Sequence, residues 1–137
     1  MNHLVRDFQA KVIITGAEKD LALVQEIRKY SRANPVILTG RTNLKQLMAL
    51  LQRANLVISA DSGPLHIANS VGTQTIGLFG PTRPEITGPR GKGRYSILQH
   101  DVGCNRQACY YLQCPDNICM QSITVNDVVQ EIQQIRN

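Results

Sequence analysis

An α/β fold, with a parallel sheet of about five strands and helices on both faces, is what this sequence predicts, and three observations carry it. Short apolar runs alternate with amphipathic stretches from residue 11 to residue 98, the pattern of a parallel sheet wound with helices. Leu56, Val57 and Ile58 form an unbroken apolar run, the composition of a strand covered on both faces. Leu44, Leu47, Met48 and Leu51 recur at i, i+3, i+4 and i+7, a stripe that should face a core, with Lys45, Gln52 and Arg53 turned outward.

In chain order, Leu4, Val5 and Phe8 read as the end of a helix. Strands are expected at 11–15, 35–38, 56–60, 75–79 and 95–98, and helices near 19–32, 43–54 and 63–71. Thr42 stands where the N-cap of the second of these helices belongs. Pro64 suits the start of the third, because its fixed φ fits the first turn and its missing N–H costs nothing there. Gly72 is its stop signal. A last helix, 124–136, begins at Thr124, which can cap it with Asp127 three residues on. Its stripe is Val125, Val128, Val129, Ile132 and Ile135.

At 137 residues the chain is expected to form a single domain spanning 1–137, with a Cys-rich loop at 100–120. With no Trp and few aromatics, the core must rest on Leu, Ile, Val and Ala. A net charge of +5 favours an anionic partner. No apolar run reaches the roughly 18 residues that a membrane helix needs, and the first residues lack the apolar core of a signal peptide. The expected location is cytoplasmic, with room for contact at the inner face of the membrane.

The stretch from Ile58 to Ala68 ends a buried strand with a carboxylate, turns through small residues and opens a helix at Gly63-Pro64. Unpaired N–H groups at such a helix start point into the crevice beyond the strand's carboxyl end, where open α/β sheets bind ligands and where an anion is favoured. Asp61 has two readings: it holds sugar hydroxyls beside the anion hole, or it caps the helix. His66, in the first turn, either contacts phosphate or sugar or donates to a backbone carbonyl. Glu18, after Gly16-Ala17 at a strand end, either grips ribose hydroxyls or sits in a helix's first turn with no ligand. The run from Gly80 to Arg94, rich in Gly, Pro and basic residues, reads as a mobile loop with no core to join. Beside an anion hole it could stabilise a departing nucleotide. Thr82 is its candidate contact.

The runs D-S-G-P-L-H-I-A-N-S-V-G and I-G-L-F-G-P-T, with V-I-I-T-G-A-E-K-D, L-T-G-R-T-N-L-K-Q-L-M-A-L-L and the Cys-rich tail, lie in one order along nearly the whole chain. Together they resemble glycosyltransferase family 9, the lipopolysaccharide heptosyltransferases. The resemblance implies a Rossmann-like domain, the C-terminal, donor-binding half of a GT-B fold. It implies an inverting transfer of a heptose or related sugar from an ADP-sugar to a lipopolysaccharide-type acceptor. By resemblance, Asp61 holds the transferred sugar, Ser62 and Gly63 donate to the diphosphate, and Glu18 contacts the ribose. Residues around Arg41 and Thr42 line the adenine pocket, and His66 and Thr82 complete the donor site. The catalytic base and the acceptor contacts are expected in an N-terminal domain outside this chain, so no catalytic residue is assigned here. A first strand is expected to be absent as well, leaving the order 35–38, 11–15, 56–60, 75–79, 95–98, with the gap between the second and third. No cofactor or metal is implied.

Cys104, Cys109, Cys114 and Cys119 recur every fifth residue. Structural zinc sites use tighter C-x₂-C pairs, so the alternatives are metal ligation, pairing on oxidation, or free thiols packing a loop. An NAD-dependent oxidoreductase is disfavoured because no G-x-G-x-x-G appears. A hydrolase built on Asp61, Ser62 and His66 lacks the nucleophile elbow. Nucleic-acid binding rests on charge alone, without interleaved aromatics, and is not expected. A non-catalytic nucleotide-binding module or gene remnant is the alternative. The basic surface and the last helix point to self-association or an anionic membrane as further partners.

Overall fold

The computed structural model describes residues 1–104, 109, 111 and 114–136. The chain divides into two compact units, Met1–Leu47 and Met48–Asn137.

The first unit begins with helix α1 (Asn2–Phe8), followed by strand β1 (Ile13–Ile14). A single 3₁₀ turn (Glu18–Asp20) leads into helix α2 (Leu21–Lys29), and strand β2 (Val36–Ile37) follows. β1 and β2 run parallel, with Ile13 beside Val36 and Ile14 beside Ile37. Val24 of α2 is its buried apolar side chain. The Asn2 carboxamide oxygen accepts the N–H groups of Arg32 (2.9 Å) and Ala33 (3.2 Å), which ties α1 to the turn after α2.

Helix α3 (Leu44–Gln52) crosses from one unit to the other along the chain. Its N-cap is Asn43, not Thr42. Asn43 Oδ1 accepts the Gln46 N–H at 2.9 Å while Gln46 Oε1 accepts the Asn43 N–H at 2.9 Å, a reciprocal box that satisfies two donors at once. The carboxamide oxygen of an Asx side chain reaches the N3 amide well, and a Gln three residues on completes the pair. Of the expected core stripe only Leu51 is buried; Leu44 and Met48 are exposed, Leu44 by 63%.

In the second unit strand β3 (Val57–Ala60) leads into helix α4 (Gly63–Ser70), strand β4 (Thr75–Leu78), a one-turn helix α5 (Pro84–Thr87) and strand β5 (Tyr95–Leu98). Two helices close it, α6 (Ile118–Gln121) and α7 (Val125–Arg136). The sheet order is β3-β4-β5, parallel throughout. Phe79, Leu65, Ile76 and Ala68 are fully buried; each of the three large ones contributes roughly 1.5–3 kcal/mol by leaving water. α4 ends as expected at Gly72. Its φ of +92° lets the Thr73 N–H reach Ala68 O (3.0 Å) and its own N–H reach Asn69 O (3.1 Å), a Schellman closure.

The α/β class and parallel pairing are as the sequence predicts, but the five strands lie in two sheets rather than one. The break falls between the 11–15 and 56–60 runs, and direct pairing does not close it. The expectation that 80–94 has no core to join is also overturned: the segment contains α5, and Gly88, Pro89 and Gly93 are buried. α7 has the predicted cap, with Asp127 Oδ2 accepting from Thr124 N–H (2.7 Å) and Thr124 Oγ1 (2.8 Å). Its stripe turns inward, with Ile132 buried and Val125 left exposed at the start. Among the described residues no helix is long and apolar enough to cross a membrane.

Candidate functional site

β3 ends on a carboxylate because the ladder carries Asp61 into place: its N–H still donates to Leu78 O of β4 at 3.2 Å. Ser62 then takes an extended conformation as the N-cap of α4. Its hydroxyl does not cap the helix. It donates to Ala60 O (3.1 Å) and pairs with Ser59 Oγ (3.1 Å), so the serine side chain folds back on β3. In front of α4, a Cβ added at Gly63 would meet nothing within 4 Å. Space is therefore open beside Gly63 in the first turn, next to the positive end of a helix dipole, which favours an anion.

Asp61 faces the segment after β4. Its Oδ2 accepts two hydroxyl hydrogen bonds, from Thr82 Oγ1 at 2.8 Å and Thr87 Oγ1 at 2.9 Å. Its Oδ1 lies 3.5 Å from His66 Nε2. The carboxylate is thus spent on tertiary contacts and not on capping α4. The Asp61 side chain is 17% exposed and that of His66 43%, so the pair opens to solvent on the His66 side. His66 faces Asp61, not a backbone carbonyl.

The carbonyls of Gly80 and Thr82 both accept from Gln99 Nε2, each at 2.8 Å, which holds the same segment from the end of β5. At its far end Asn69 of α4 takes over: Oδ1 accepts the Gly91 N–H and Nδ2 donates to Gly93 O, both at 2.6 Å. Residues 80–94 form a wall hydrogen-bonded to Asp61, Gln99 and Asn69. Thr87, Gln99 and Asn69 have no local sequence signal of this role. The one hint for Thr87 is that Arg83-Pro84 can start a helical turn, which brings residue 87 round to the side of residue 83.

Glu18 and Thr42 belong to the first unit. Glu18 opens the 3₁₀ turn and is exposed, and Asp20 Oδ2 holds the Ala17 N–H at 2.8 Å. Gly40, just before Arg41 and Thr42, donates to Gly16 O at 2.9 Å and packs on the Glu18 backbone. The two turns at the carboxyl ends of β1 and β2 thus lie side by side, with the Thr42 side chain released from capping by Asn43.

A cavity of about 600 Å³ lies beyond the carboxyl ends of β4 and β5. Thr82, Arg83 and Ile86 line one part of it, His100 and all four cysteines another. The thiols are free. Among the described residues no three His, Cys, Asp or Glu side chains converge as a metal site would require.

Residues 2–114 match the sequence profile of glycosyltransferase family 9 (heptosyltransferase). The lipopolysaccharide core heptosyltransferase OpsX of Haemophilus influenzae is 44% identical over 73 residues, which is 53% of this chain and 21% of that protein. The lipooligosaccharide heptosyltransferase 2 of Campylobacter jejuni is 28% identical over 131 residues, 91% of this chain and 41% of that protein. The chain therefore spans less than half the length of these relatives. Among solved structures, a family 9 glycosyl transferase from Veillonella parvula superposes with a TM-score of 0.64 at 32% identity, over 71% of this chain and 28% of that one. The Escherichia coli ADP-heptose lps heptosyltransferase II superposes with a TM-score of 0.77 at 21% identity, over 97% of this chain and 39% of that one, a likeness of fold.

Proposed function

The chain belongs to glycosyltransferase family 9, and from that premise we propose that it binds the nucleotide-sugar donor of a heptosyltransferase-like enzyme acting on a lipopolysaccharide-type acceptor. The observation that carries the proposal is the pairing of Asp61 with an α4 N-terminus that Ser62 leaves uncapped. A diphosphate takes the helix end through the N–H groups of Ser62 and Gly63. Asp61 accepts from a sugar hydroxyl. His66, on the solvent side of Asp61, reaches phosphate or sugar. Glu18 is assigned the ribose, and the backbone around Arg41 and Thr42 the adenine. The donor is an ADP-sugar of the ADP-heptose type, and transfer proceeds with inversion. The general base belongs to acceptor-side residues that these 137 do not include. A positioned base accounts for about 10²–10⁴-fold in rate, so these residues alone are expected to bind donor without transferring sugar.

Titration of the purified chain with ADP, UDP, NAD and single-stranded DNA tests this reading. ADP is expected to bind in preference to the other three, and ADP-heptose more tightly than ADP. Preference for NAD or DNA, or no nucleotide binding at all, would overturn it. Turnover of ADP-heptose on a truncated lipopolysaccharide acceptor would place the base within this chain and overturn the division of labour.

A further inference from the structure

We infer that Thr87, with Thr82, is a positioning residue that locks the Asp61 carboxylate so that Oδ1 alone is presented to the ligand. The inference deepens the donor-site reading and rests on it for the identity of the ligand. Its structural half stands independently. Asp61 Oδ2 takes hydrogen bonds from Thr82 Oγ1 (2.8 Å) and Thr87 Oγ1 (2.9 Å), one for each of its lone pairs. That oxygen has no acceptor capacity left for a sugar hydroxyl. Oδ1 takes neither threonine, and His66 Nε2 stands 3.5 Å from it.

Two hydroxyls on one oxygen also fix the rotation of the carboxylate. Charge-assisted bonds of this kind are stronger than neutral ones, and their donors are themselves held. Thr82 sits on a carbonyl bound by Gln99. Thr87 closes α5, where its N–H donates to Arg83 O at 2.9 Å. Its hydroxyl also lies 3.1 Å from Arg83 O. A hydroxyl has a single proton, so when it donates to Asp61 it leaves the Arg83 carbonyl to the backbone N–H that already occupies it. Without Thr87, Oδ2 regains a free lone pair, and the carboxylate can turn and accept from the ligand in a second geometry. Thr87 thus sets which sugar hydroxyl is read, while touching no ligand itself.

Two measurements on the 137-residue chain test this. The first needs no ligand: the orientation of the Asp61 carboxylate about Cβ–Cγ, read from high-resolution crystal structures of the ligand-free chain. Wild type and Thr87→Ser should show one carboxylate rotamer with Oδ2 on the threonine side, and Thr87→Val a turned or doubly populated one. An unchanged single rotamer in Thr87→Val overturns the inference whatever nucleotides do. The second is calorimetry with ADP and ADP-heptose. Thr87→Val should weaken ADP-heptose by about ten-fold, the scale of one hydrogen bond to a charged group. ADP should be unchanged, and Thr87→Ser should restore the sugar-dependent part. Equal losses for ADP and ADP-heptose, or no rescue by serine, would reduce Thr87 to a structural role and overturn the inference. Failure of wild-type protein to bind ADP would instead overturn the donor-site reading, which leaves the rotamer result to decide the lock.

Discussion

Asn69 and Gly93 hold each other twice: Asn69 Nδ2 donates to the Gly93 carbonyl at 2.6 Å, and the Gly93 N–H donates to the Asn69 carbonyl at 2.9 Å. Asn69 is fully buried. A buried polar side chain is tolerated only with its bonds made, and Asn69 makes them to a segment that would otherwise have no regular structure to join. The helix whose N-terminus faces the proposed diphosphate thereby also anchors the loop whose threonines hold Asp61.

Asn69→Ala is expected to destabilise the chain by about 1–3 kcal/mol, because the Gly91 N–H and Gly93 carbonyl lose their buried partner. Urea unfolding measures the loss. Amide exchange at Gly91 and Gly93 should accelerate more than at β4, showing that the loop detaches before the sheet opens.

Gly93→Ala should be destabilising for a different reason. An added Cβ would run into the Thr73 carbonyl, and crowding of this kind typically costs about 1–3 kcal/mol. The substitution leaves both Asn69 bonds chemically available, so a neutral outcome in urea unfolding would show that the backbone gives way there easily.

Asp61→Asn and Asp61→Ala should separate anchoring from ligand recognition. An asparagine oxygen can still accept from Thr82 and Thr87 while its amide replaces Oδ1, so the wall should stay fixed as ADP-heptose binding falls and ADP binding holds. Alanine leaves the Thr82 hydroxyl unmet, sends that of Thr87 back to the Arg83 carbonyl, and should add loop mobility, read as faster exchange across 80–88. Equal effects of the two variants on exchange would argue against the anchoring role.

Asn43→Ala should cost about 1 kcal/mol through loss of the α3 cap, whereas Thr42→Ala should stay within about 0.5 kcal/mol of wild type in stability. Chemical denaturation of both variants is the check.

Acid should release α7 at its start. The N–H and hydroxyl of Thr124 hold the Asp127 carboxyl below its ordinary value of 3.8, with His100 adding to the effect. Its stabilising contribution is therefore complete above that ordinary value and is lost as pH falls through the lowered one. The Thr124 amide shift should titrate below pH 3.8, and Asp127→Asn should abolish that titration. A Thr124 transition at or above the ordinary value would contradict the capping geometry.

Much of this molecule was legible in its residue order because the governing forces are local. The Gly72 stop and the Thr124–Asp127 cap each depend on neighbours within a few residues, and so does the strand–carboxylate–helix step that marks Asp61. Even the family was readable, since its motifs are short and keep their order. Tertiary structure decided the rest. Asn43 displaced Thr42 as a cap because two geometries competed and the reciprocal bond with Gln46 won. The segment 80–94 looked coreless because its fastenings are remote: Thr82 and Thr87 meet Asp61 from 21 and 26 residues away, and Asn69 meets Gly93 from 24. A hydroxyl or a carboxamide carries no periodicity that marks its partner. Only the folded sheet, by setting β3, β4 and β5 side by side, brings those groups within bonding distance and determines which oxygen of Asp61 the threonines take.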